Sequence, residues 1–399
     1  MSVPDFQQLD TLITDYVDSG RLAGVVAAIT SPETTLHRKV YGQQDVGLKT
    51  PMAWNSLFRI FSMTKPITSI AAMMLWEEKK FDLDDPVAEY LPAFRDTKIL
   101  QTDGSRVAAK AQMTIRHLLC HTAGITLPAF SEDALVPLYL EQGLDGMRSK
   151  GDLQGISDRL GRLPVKFEPG TQWAYSMSTD IVGRLVEVWS GLSFEEFLRV
   201  RILAPLGMTE TGFQVAPEMN GRLTTSYAIE EGALGSIIDT GNDSTYLSPP
   251  AFPSGSGGLV STADDYLKFI KMLLNEGELE GHRLLAPETL TMMTCNHLDG
   301  DMEDYGAADF NGITWQGIGF GLGFNVVIDP QKAIFPGPAG EFGWTGAAGT
   351  IFFVNPVLKK AALLLTQYMP SQSYPLRDQF RRAAYEGMLS SHKYEYQHD

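Results

Sequence analysis

The stretch FRIFSMTKPITSIAAMMLWEEKK, residues 58–80, places a serine three residues before a lysine at the start of an apolar helix. Pro66 lacks an N–H and is tolerated only in the first turn of a helix, so the helix is predicted to begin near Ser62 and to end near residue 79. Residues three apart share a helix face, which brings the Lys65 side chain within reach of the Ser62 hydroxyl. The plain interpretation is a helix cap followed by a solvated lysine; the chemical interpretation is a nucleophile and its base.

Two properties of this stretch favour the chemical interpretation. The Ser62 hydroxyl would lie at the positive end of the helix dipole, which stabilises an alkoxide or an oxyanion. The residues around Lys65 are apolar, so the amine is predicted to be partly buried, and burial lowers the pKa of an amine so that its neutral form is available to accept a proton. The spacing alone is weak evidence, because it recurs at Ser390 and Lys393 near the end of the chain.

Length and composition limit the class of protein. The 399 residues exceed one ordinary core, so we expect two lobes or one core with a large insertion. A hydrophobic fraction of 44% with 20% charged residues is typical of a globular chain. The formal net charge of −16 disfavours nucleic acid and anionic membranes as partners, because phosphate binding needs a basic face.

The start of the chain and its cysteines bear on the compartment. The N-terminal stretch MSVPDFQQLDTLITDYVDSG lacks the basic segment and apolar run of a secretory signal. No apolar run of about 18 residues occurs, so no membrane-spanning helix is predicted. The two cysteines, Cys120 and Cys295, give no disulfide framework. Together these features predict a cytoplasmic protein that does not associate with membranes.

The order of the predicted elements indicates a domain interrupted by an insertion. A first helix ends at Gly20, and two hairpin strands follow at residues 23–30 and 34–42. Residues 81–256 contain mostly short helical pieces joined by turns with proline and glycine. Two helices, three strand-like runs and a last helix complete the chain, at residues 262–275, 286–294, 321–329, 349–356, 359–368 and 374–389.

We therefore predict a discontinuous α/β domain formed by residues 1–80 and 257–399, with an inserted, mainly helical domain at residues 81–256. In this arrangement the Ser62 helix ends where the insertion begins. The active site is expected at the interface of the two domains, which is a common place for a ligand cleft.

Two further segments contain residues suited to the same chemistry. The segment EPGTQWAYSMSTDIVGRLVE, residues 168–187, places Tyr175 in a turn before a helix. The segment GEFGWTGAAGTIFFV, residues 340–354, is a glycine-rich turn that leads into an apolar strand. Glycine lets backbone N–H groups approach a ligand closely. Taken alone, each segment also has a plain interpretation: a packed tyrosine whose hydroxyl is bonded, and a tight turn between strands.

In combination these motifs resemble the serine β-lactamase and penicillin-binding superfamily. The chain looks most like the esterases related to class C β-lactamases, the family VIII carboxylesterases, and the resemblance runs from the first helix to the last. It implies an α/β plus all-α protein of β-lactamase-like fold: an antiparallel sheet flanked by helices, with a large inserted helical domain. The motifs in chain order are SMTK (62–65), RHLLCHTAGI (116–125), YSM (175–177), GSGGLVSTADDYLKFIKMLL (255–274) and WTG (344–346).

The resemblance implies a role for each matching residue. Ser62 would attack the acyl carbon of the substrate. Lys65 and Tyr175 would share the role of general base, first toward the serine and then toward the water that releases the acyl group. The backbone N–H groups of Ser62 and Ala347 would form the oxyanion hole.

Two departures from class C β-lactamases bear on the substrate. Their third motif is Lys-Thr-Gly, whose lysine faces the β-lactam carboxylate, and Trp344 stands in its place here. Their second motif is Tyr-x-Asn, whose asparagine contacts an amide of the β-lactam, and Met177 replaces it. Both changes replace polar recognition with apolar surface. We therefore expect Trp344, Gly346 and Met177 to contact an uncharged ester.

Other chemistries are weaker interpretations of this sequence. His117 and His121 are four residues apart beside Cys120, which could be taken for a metal site on one helical face. The glutamate of H-E-x-x-H is missing, and no clear third ligand accompanies them. The G-x-S-x-G motif of the α/β-hydrolase fold is also absent. We expect neither a metal ion nor a cofactor.

The sequence thus predicts a serine hydrolase that cleaves short-chain carboxylic esters, which are small molecules, through an acyl-enzyme on Ser62. The alternatives within the fold are a β-lactamase, a DD-peptidase or D-amino-acid peptidase, and an acyltransferase that passes the acyl group to an alcohol. The non-enzyme alternative is a catalytically silent, penicillin-binding-like module. Such a module would be expected to have lost Ser62, Lys65 or Tyr175, and all three are present. Residues 128–150 are predicted to cover the pocket as a lid.

Overall fold

The computed structural model describes residues 5–307 and 310–390, so Lys393 lies outside the described residues. Apolar residues at helical spacing form helices at the predicted places near both ends of the chain. The α-helices are α1 (Gln7–Asp18), α2 (Thr64–Glu77), α3 (Val87–Tyr90), α4 (Ile115–Leu119), α5 (Leu135–Glu141), α6 (Leu153–Leu160), α7 (Ser178–Ser190), α8 (Phe194–Leu198), α9 (Ala263–Leu274), α10 (Pro287–Met293) and α11 (Leu376–Ser390).

Seventeen strands are present in the described residues, and most of them are short. They are β1 (Gly24–Thr30), β2 (Thr35–Asp45), β3 (Thr50–Pro51), β4 (Phe58–Arg59), β5 (Lys98–Leu100), β6 (Arg106–Ala108), β7 (Ser226–Glu230), β8 (Ala233–Asp239), β9 (Val260–Ser261), β10 (Glu278–Leu279), β11 (His282–Arg283), β12 (Ile318–Phe320), β13 (Asn325–Val327), β14 (Phe342–Thr345), β15 (Ile351–Asn355), β16 (Lys360–Leu365) and β17 (Tyr368–Met369).

One eight-stranded antiparallel sheet, in the order β12-β13-β14-β15-β16-β1-β2-β3, forms the centre of the fold. Strand β1 pairs with β16 on one side and with β2 on the other, so segments from both ends of the chain meet in one sheet. Side chains alternate between the two faces of a strand. Val25 and Ile29 pack in a cluster with α1 and α11, whereas Val26 and Ala28 pack in a cluster with α2 and α9.

The region predicted as a helical insertion contains α3 to α8, and α7 packs against α2. It also contains two antiparallel strand pairs that were not predicted, β5–β6 and β7–β8. Strands β7 and β8 pair antiparallel, and β7 pairs in parallel with β17 from the other end of the chain. The division into domains at residues 81 and 256 stays a prediction.

Two strand-like runs are divided differently from the prediction. The run 321–329 was expected to be one strand, but Gly321 N–H donates to the carbonyl oxygen of Phe324, and β13 begins only at Asn325. The run 359–368 ends its sheet pairing at Leu365, after which β17 turns to pair with β7.

Within the described ranges, no helix has both the length and the apolar character needed to cross a bilayer.

Candidate active site

Ser62 lies in a sharp turn between a strand and a helix. Strand β4 leads into one 3₁₀ turn, Phe61–Met63, and α2 begins at Thr64. Phe61 has a φ of 44°, a left-handed conformation that costs a non-glycine residue about 1–3 kcal/mol. Pro66 occupies the first turn of α2, as the sequence predicted. The strained turn and the helix start hold the Ser62 hydroxyl beside the N-terminus of α2.

Lys65 is buried and faces the Ser62 hydroxyl. Its side chain is only 2% exposed, and its Nζ donates to Ser62 Oγ over 3.3 Å and to the carbonyl oxygen of Ser256 over 2.8 Å. Lys65 Nζ also lies 4.4 Å from the centre of the Tyr175 ring. The structure therefore brings together the serine, the lysine and the tyrosine that the sequence singled out.

The loop that holds Lys65 is itself held by a buried carboxylate. Asp180, in the first turn of α7, accepts hydrogen bonds from Ser254 Oγ at 2.7 Å and from the backbone N–H of Ser256 at 3.0 Å. Burial raises the pKa of Asp180, while these two bonds and the nearby Lys65 oppose the rise. Sequence reasoning missed Asp180 and Ser256; the glycine-serine run at 254–258 was the available signal.

Tyr175 lies in a cluster of aromatic rings, with 8% of its surface exposed. Its hydroxyl accepts a long hydrogen bond of 3.5 Å from Trp344 Nε1. Within residues 5–307 and 310–390, no hydrogen bond joins that hydroxyl to Ser62 or to Lys65. Lys65 thus meets the face of the ring, not its oxygen. The rings within 6.5 Å of Tyr175 belong to His121, Phe130, Trp173, Phe310 and Trp344.

The buried His121 packs against the Tyr175 ring at 5.2 Å and does not share a helical face with His117. Helix α4 ends at Leu119, and His121 has a φ of 58°, so its ring turns inward and bonds Ser176 Oγ at 2.8 Å. Burial, with Lys65 nearby, holds the pKa of His121 well below its usual range. His117 instead completes the N-cap of α4 with Thr114. In the described part of the chain, no group of three potential ligands could hold a metal ion.

Ala347, the second proposed oxyanion residue, lies near the turn Phe61–Met63 that contains Ser62, which we call the nucleophile turn. Gly346 follows β14, and a Cβ at this position would overlap with the backbone oxygen of Ile60, so glycine allows close approach of the two segments. Ala347 lines the same cavity as Ser62. The closeness of Gly346 to Ile60 brings the backbone around Ala347 to the side of Ser62.

A cavity of about 660 Å³ opens at Ser62 and Lys65. Seven residues from the predicted lid region and just before it form part of its wall, and Ile238 and Asp239 of β8 form another part. Asp239 accepts a 2.6 Å hydrogen bond from the buried Arg59, which precedes the nucleophile turn and was also missed from sequence. The seven wall residues are Leu127, Ala129, Phe130, Asp145, Gly146, Met147 and Arg148.

None of the three residues expected to contact the substrate, Trp344, Gly346 and Met177, is among the described residues that line this cavity. Trp344 lines a second cavity of about 660 Å³, and Ser371 and Gln372 line both cavities. Met177 is fully buried and precedes α7, and it is not among the described residues that line either cavity. Substrate contacts of Trp344, Gly346 and Met177 remain predictions.

Comparison with known proteins gives the family. A family model described as Beta-lactamase matches residues 9–386. The chain belongs to the beta-lactamase family. Protein Rv1367c of Mycobacterium tuberculosis is 33% identical to it over 370 residues, which cover 90% of each chain. Esterase EstB of Burkholderia gladioli is 31% identical over 398 residues, covering 95% of this chain and 94% of EstB.

The beta-lactamase family also accounts for the fold. The solved structure of EstCE1, a hydrolase with promiscuous acyltransferase activity, aligns with a TM-score of 0.80 and 28% identity. That alignment covers 95% of this chain and 98% of EstCE1. The predicted membership of the serine β-lactamase superfamily and the predicted β-lactamase-like fold, with its mostly antiparallel sheet, are thus confirmed.

Proposed function

We propose that this beta-lactamase family member cleaves short-chain carboxylic esters through an acyl-enzyme on Ser62. The observation that carries the proposal is the buried Lys65 Nζ, 3.3 Å from Ser62 Oγ, where both residues line a cavity of about 660 Å³. An amine at this distance whose nitrogen lone pair faces the hydroxyl can take its proton as the hydroxyl oxygen attacks a carbonyl. The solvent-accessible cavity leaves room for an ester at that oxygen.

The general enzyme class has support beyond geometry. The expectation of an enzyme, a serine hydrolase of the β-lactamase fold, is confirmed by the family and by the esterase relatives. The finer assignment to family VIII carboxylesterases is part of the proposal and is supported by the motifs at residues 62–65, 175–177 and 344–346. A cytoplasmic location stays a prediction.

Each step has a residue in a supporting position. Lys65 takes the Ser62 proton, and the Ser62 oxygen bonds to the acyl carbon. Negative charge then develops on the carbonyl oxygen, where the N–H groups of Ser62 and Ala347 donate to it. Removing one such donor costs other enzymes about 3 kcal/mol of transition-state stabilisation. The proton passes to the departing alcohol, and water repeats the sequence on the acyl-enzyme, with Tyr175 assisting as base.

An uncharged ester suits the aromatic surroundings better than an anionic β-lactam. Phe130 lines the Ser62 cavity and its ring packs against Tyr175, and Trp344, whose ring lies 5.7 Å from that of Tyr175, stands where class C enzymes have a cationic lysine. Without that lysine, burying a substrate carboxylate beside these rings would cost desolvation energy with no compensating ion pair. We therefore place β-lactamase, DD-peptidase and D-amino-acid peptidase activities second to ester cleavage.

The test is a Ser62→Ala variant assayed with p-nitrophenyl butyrate. Wild type should release a burst of p-nitrophenol equal to the enzyme concentration, and Ser62→Ala should lose both burst and turnover. Ser236→Ala, at an exposed serine of β8, is the matched control and should behave as wild type. Full turnover by Ser62→Ala would end the proposal.

One observation favours a second candidate, acyl transfer to an alcohol. EstCE1 is described as a hydrolase with promiscuous acyltransferase activity, and it shares the fold over nearly the whole chain. Adding a primary alcohol to the butyrate assay should give a butyrate ester in competition with free butyrate. Failure of a fluorophosphonate to label Ser62 would instead favour the silent binding module.

A further inference from the structure

Arg377 is a buried cation placed behind the proposed oxyanion residues. It is the second residue of α11 and lines the second cavity with Trp344. Two other arginines of α11 have carboxylate partners: Arg381 pairs with Glu341 and Arg382 with Asp378. Within the described residues, Arg377 has no carboxylate partner. Its guanidinium instead donates to the carbonyl oxygen of Gly346.

The bond to Gly346 bears directly on Ala347, because both belong to one peptide unit. A trans peptide is planar, and its C=O and N–H point in opposite directions. Fixing the Gly346 oxygen toward Arg377 therefore fixes the Ala347 N–H toward the other side of the unit. Ala347 lines the Ser62 cavity, and within the described chain its N–H donates to no acceptor.

The charge of Arg377 adds to this orienting effect. A cation on a peptide oxygen draws electron density from the N–H and makes the N–H a better donor, and burial reduces solvent screening. The neutral N–H of Gly349 also donates to the Gly346 oxygen, over 3.2 Å, and Gly346 N–H donates to Thr350 O over 2.9 Å. These bonds form the turn, but only Arg377 brings a charge.

We propose that Arg377 is a positioning residue for ester cleavage, which orients and polarises the Ala347 N–H for the oxyanion. This inference rests on the proposed function. Arg377 acts through the peptide and touches no reacting atom. Its contribution should therefore appear in the transition state and not in ground-state binding of the ester.

The experiment uses Arg377→Ala in the full chain, with Arg382→Ala as the matched control. Arg382 is on the same helix and also donates to a backbone carbonyl, that of Ile334, away from the peptide of Ala347. For p-nitrophenyl butyrate, Arg377→Ala should lower kcat by about 10- to 100-fold, less than the full loss of an oxyanion donor, and leave KM within about threefold. The inhibition constant of an alkylboronic acid, which mimics the tetrahedral intermediate, should weaken by the same factor as kcat/KM.

Chemical rescue separates this role from a purely structural one. Guanidinium ion at low millimolar concentration should restore part of the activity of Arg377→Ala and leave Arg382→Ala unchanged. The inference is overturned if folded Arg377→Ala keeps wild-type kcat and boronate affinity, or if its loss lies in KM alone. Should Arg377→Ala fail to fold, Arg377→Met, which keeps most of the volume without a donor or a charge, gives the same reading, and wild-type kinetics in it would overturn the inference.

The two proposals fail in distinguishable ways. An active Ser62→Ala would remove the proposed function and this inference together. An inactive Ser62→Ala with wild-type Arg377→Ala would remove this inference only.

Discussion

Lys65 Nζ lies 3.3 Å from Ser62 Oγ, and Lys65 is only 2% exposed to solvent. The remaining contacts of Nζ are the Ser256 carbonyl at 2.8 Å and the face of Tyr175. Burying an amine lowers the free energy of unfolding of the protein. A buried amine beside a nucleophile is therefore expected to have a catalytic role.

Lys65→Met separates those two effects. Methionine fills similar volume, but it leaves the Ser256 carbonyl without its donor and the buried Asp180 without the nearby amine, so the free energy of unfolding should fall by about 1–3 kcal/mol. The rate of acylation should fall by about 10²- to 10⁴-fold, the usual contribution of a general base. Single-turnover kinetics and thermal unfolding measure the two quantities. Lys80→Met, at an exposed lysine after α2, is the control, and an acylation rate unchanged in Lys65→Met would contradict the base role.

Gly346→Ala tests how closely the oxyanion segment must approach the nucleophile turn. The new Cβ would overlap with the Ile60 oxygen and the Thr350 hydroxyl oxygen, so the end of β14 must move away from Ser62. We expect kcat to fall at least about tenfold, because a shift of about 1 Å in a catalytic group can cost 100-fold. Gly47→Ala is the control, since its Cβ would meet only an Asp45 oxygen at 3.5 Å. Equal kcat for the two variants would show that the close approach is not needed.

The sequence predicted the central architecture well because its signals were local. The hairpin β1–β2, helix α2 and the last helix each show their own hydrophobic pattern, and the strand runs of β15 and β16 are continuously apolar. The serine and lysine were found because three-residue spacing on a helix start is also local. These predictions needed no knowledge of how distant segments meet.

What was missed depends on contacts between distant segments. Strand β8 is mostly exposed and shows no regular alternation of buried and exposed residues, and the pairing of β7 with β17 joins residues about 140 positions apart. Asp180 reaches Ser256 across 76 positions, and Arg377 reaches Gly346 across 31. His121 was assigned to a helical face because nothing in the sequence indicates a left-handed backbone conformation at a residue that is not glycine.

His121→Asn tests the stability of the site against acid. Burial lowers the pKa of His121, so the folded protein binds that proton less readily than the unfolded chain, whose histidines have a pKa near 6.5. Below about pH 6.5 the unfolded state therefore takes up more protons, and the free energy of unfolding should fall by about 1.4 kcal/mol per pH unit for this group. Asparagine tolerates a positive φ, so the variant should reduce that slope between pH 6.5 and 5 without backbone strain.

Thermal or urea unfolding across that pH range measures the slope. His282→Asn, at an exposed histidine of β11, should leave it unchanged. His117 and His297, whose pKa values burial also lowers, keep part of the slope in both variants. The same slope in His121→Asn and wild type would contradict the burial argument.

Trp344→Lys tests the substrate class. Trp344 is 4% exposed, stacks edge-on against Phe320 at 5.2 Å and donates to the Tyr175 hydroxyl, so its loss should destabilise the fold by about 3–5 kcal/mol. A lysine here restores the cation that class C enzymes use for the β-lactam carboxylate. We expect turnover of activated acetate, butyrate and octanoate esters to fall, while the ratio of cephalosporin to ester kcat/KM rises about tenfold, as one partly solvated ion pair would give. Trp344→Met, which removes the ring without adding charge, should lose ester turnover without that rise. A wild-type enzyme that hydrolyses the cephalosporin as efficiently as butyrate esters would instead favour the β-lactamase alternative, because apolar Trp344 would then not limit anionic substrates.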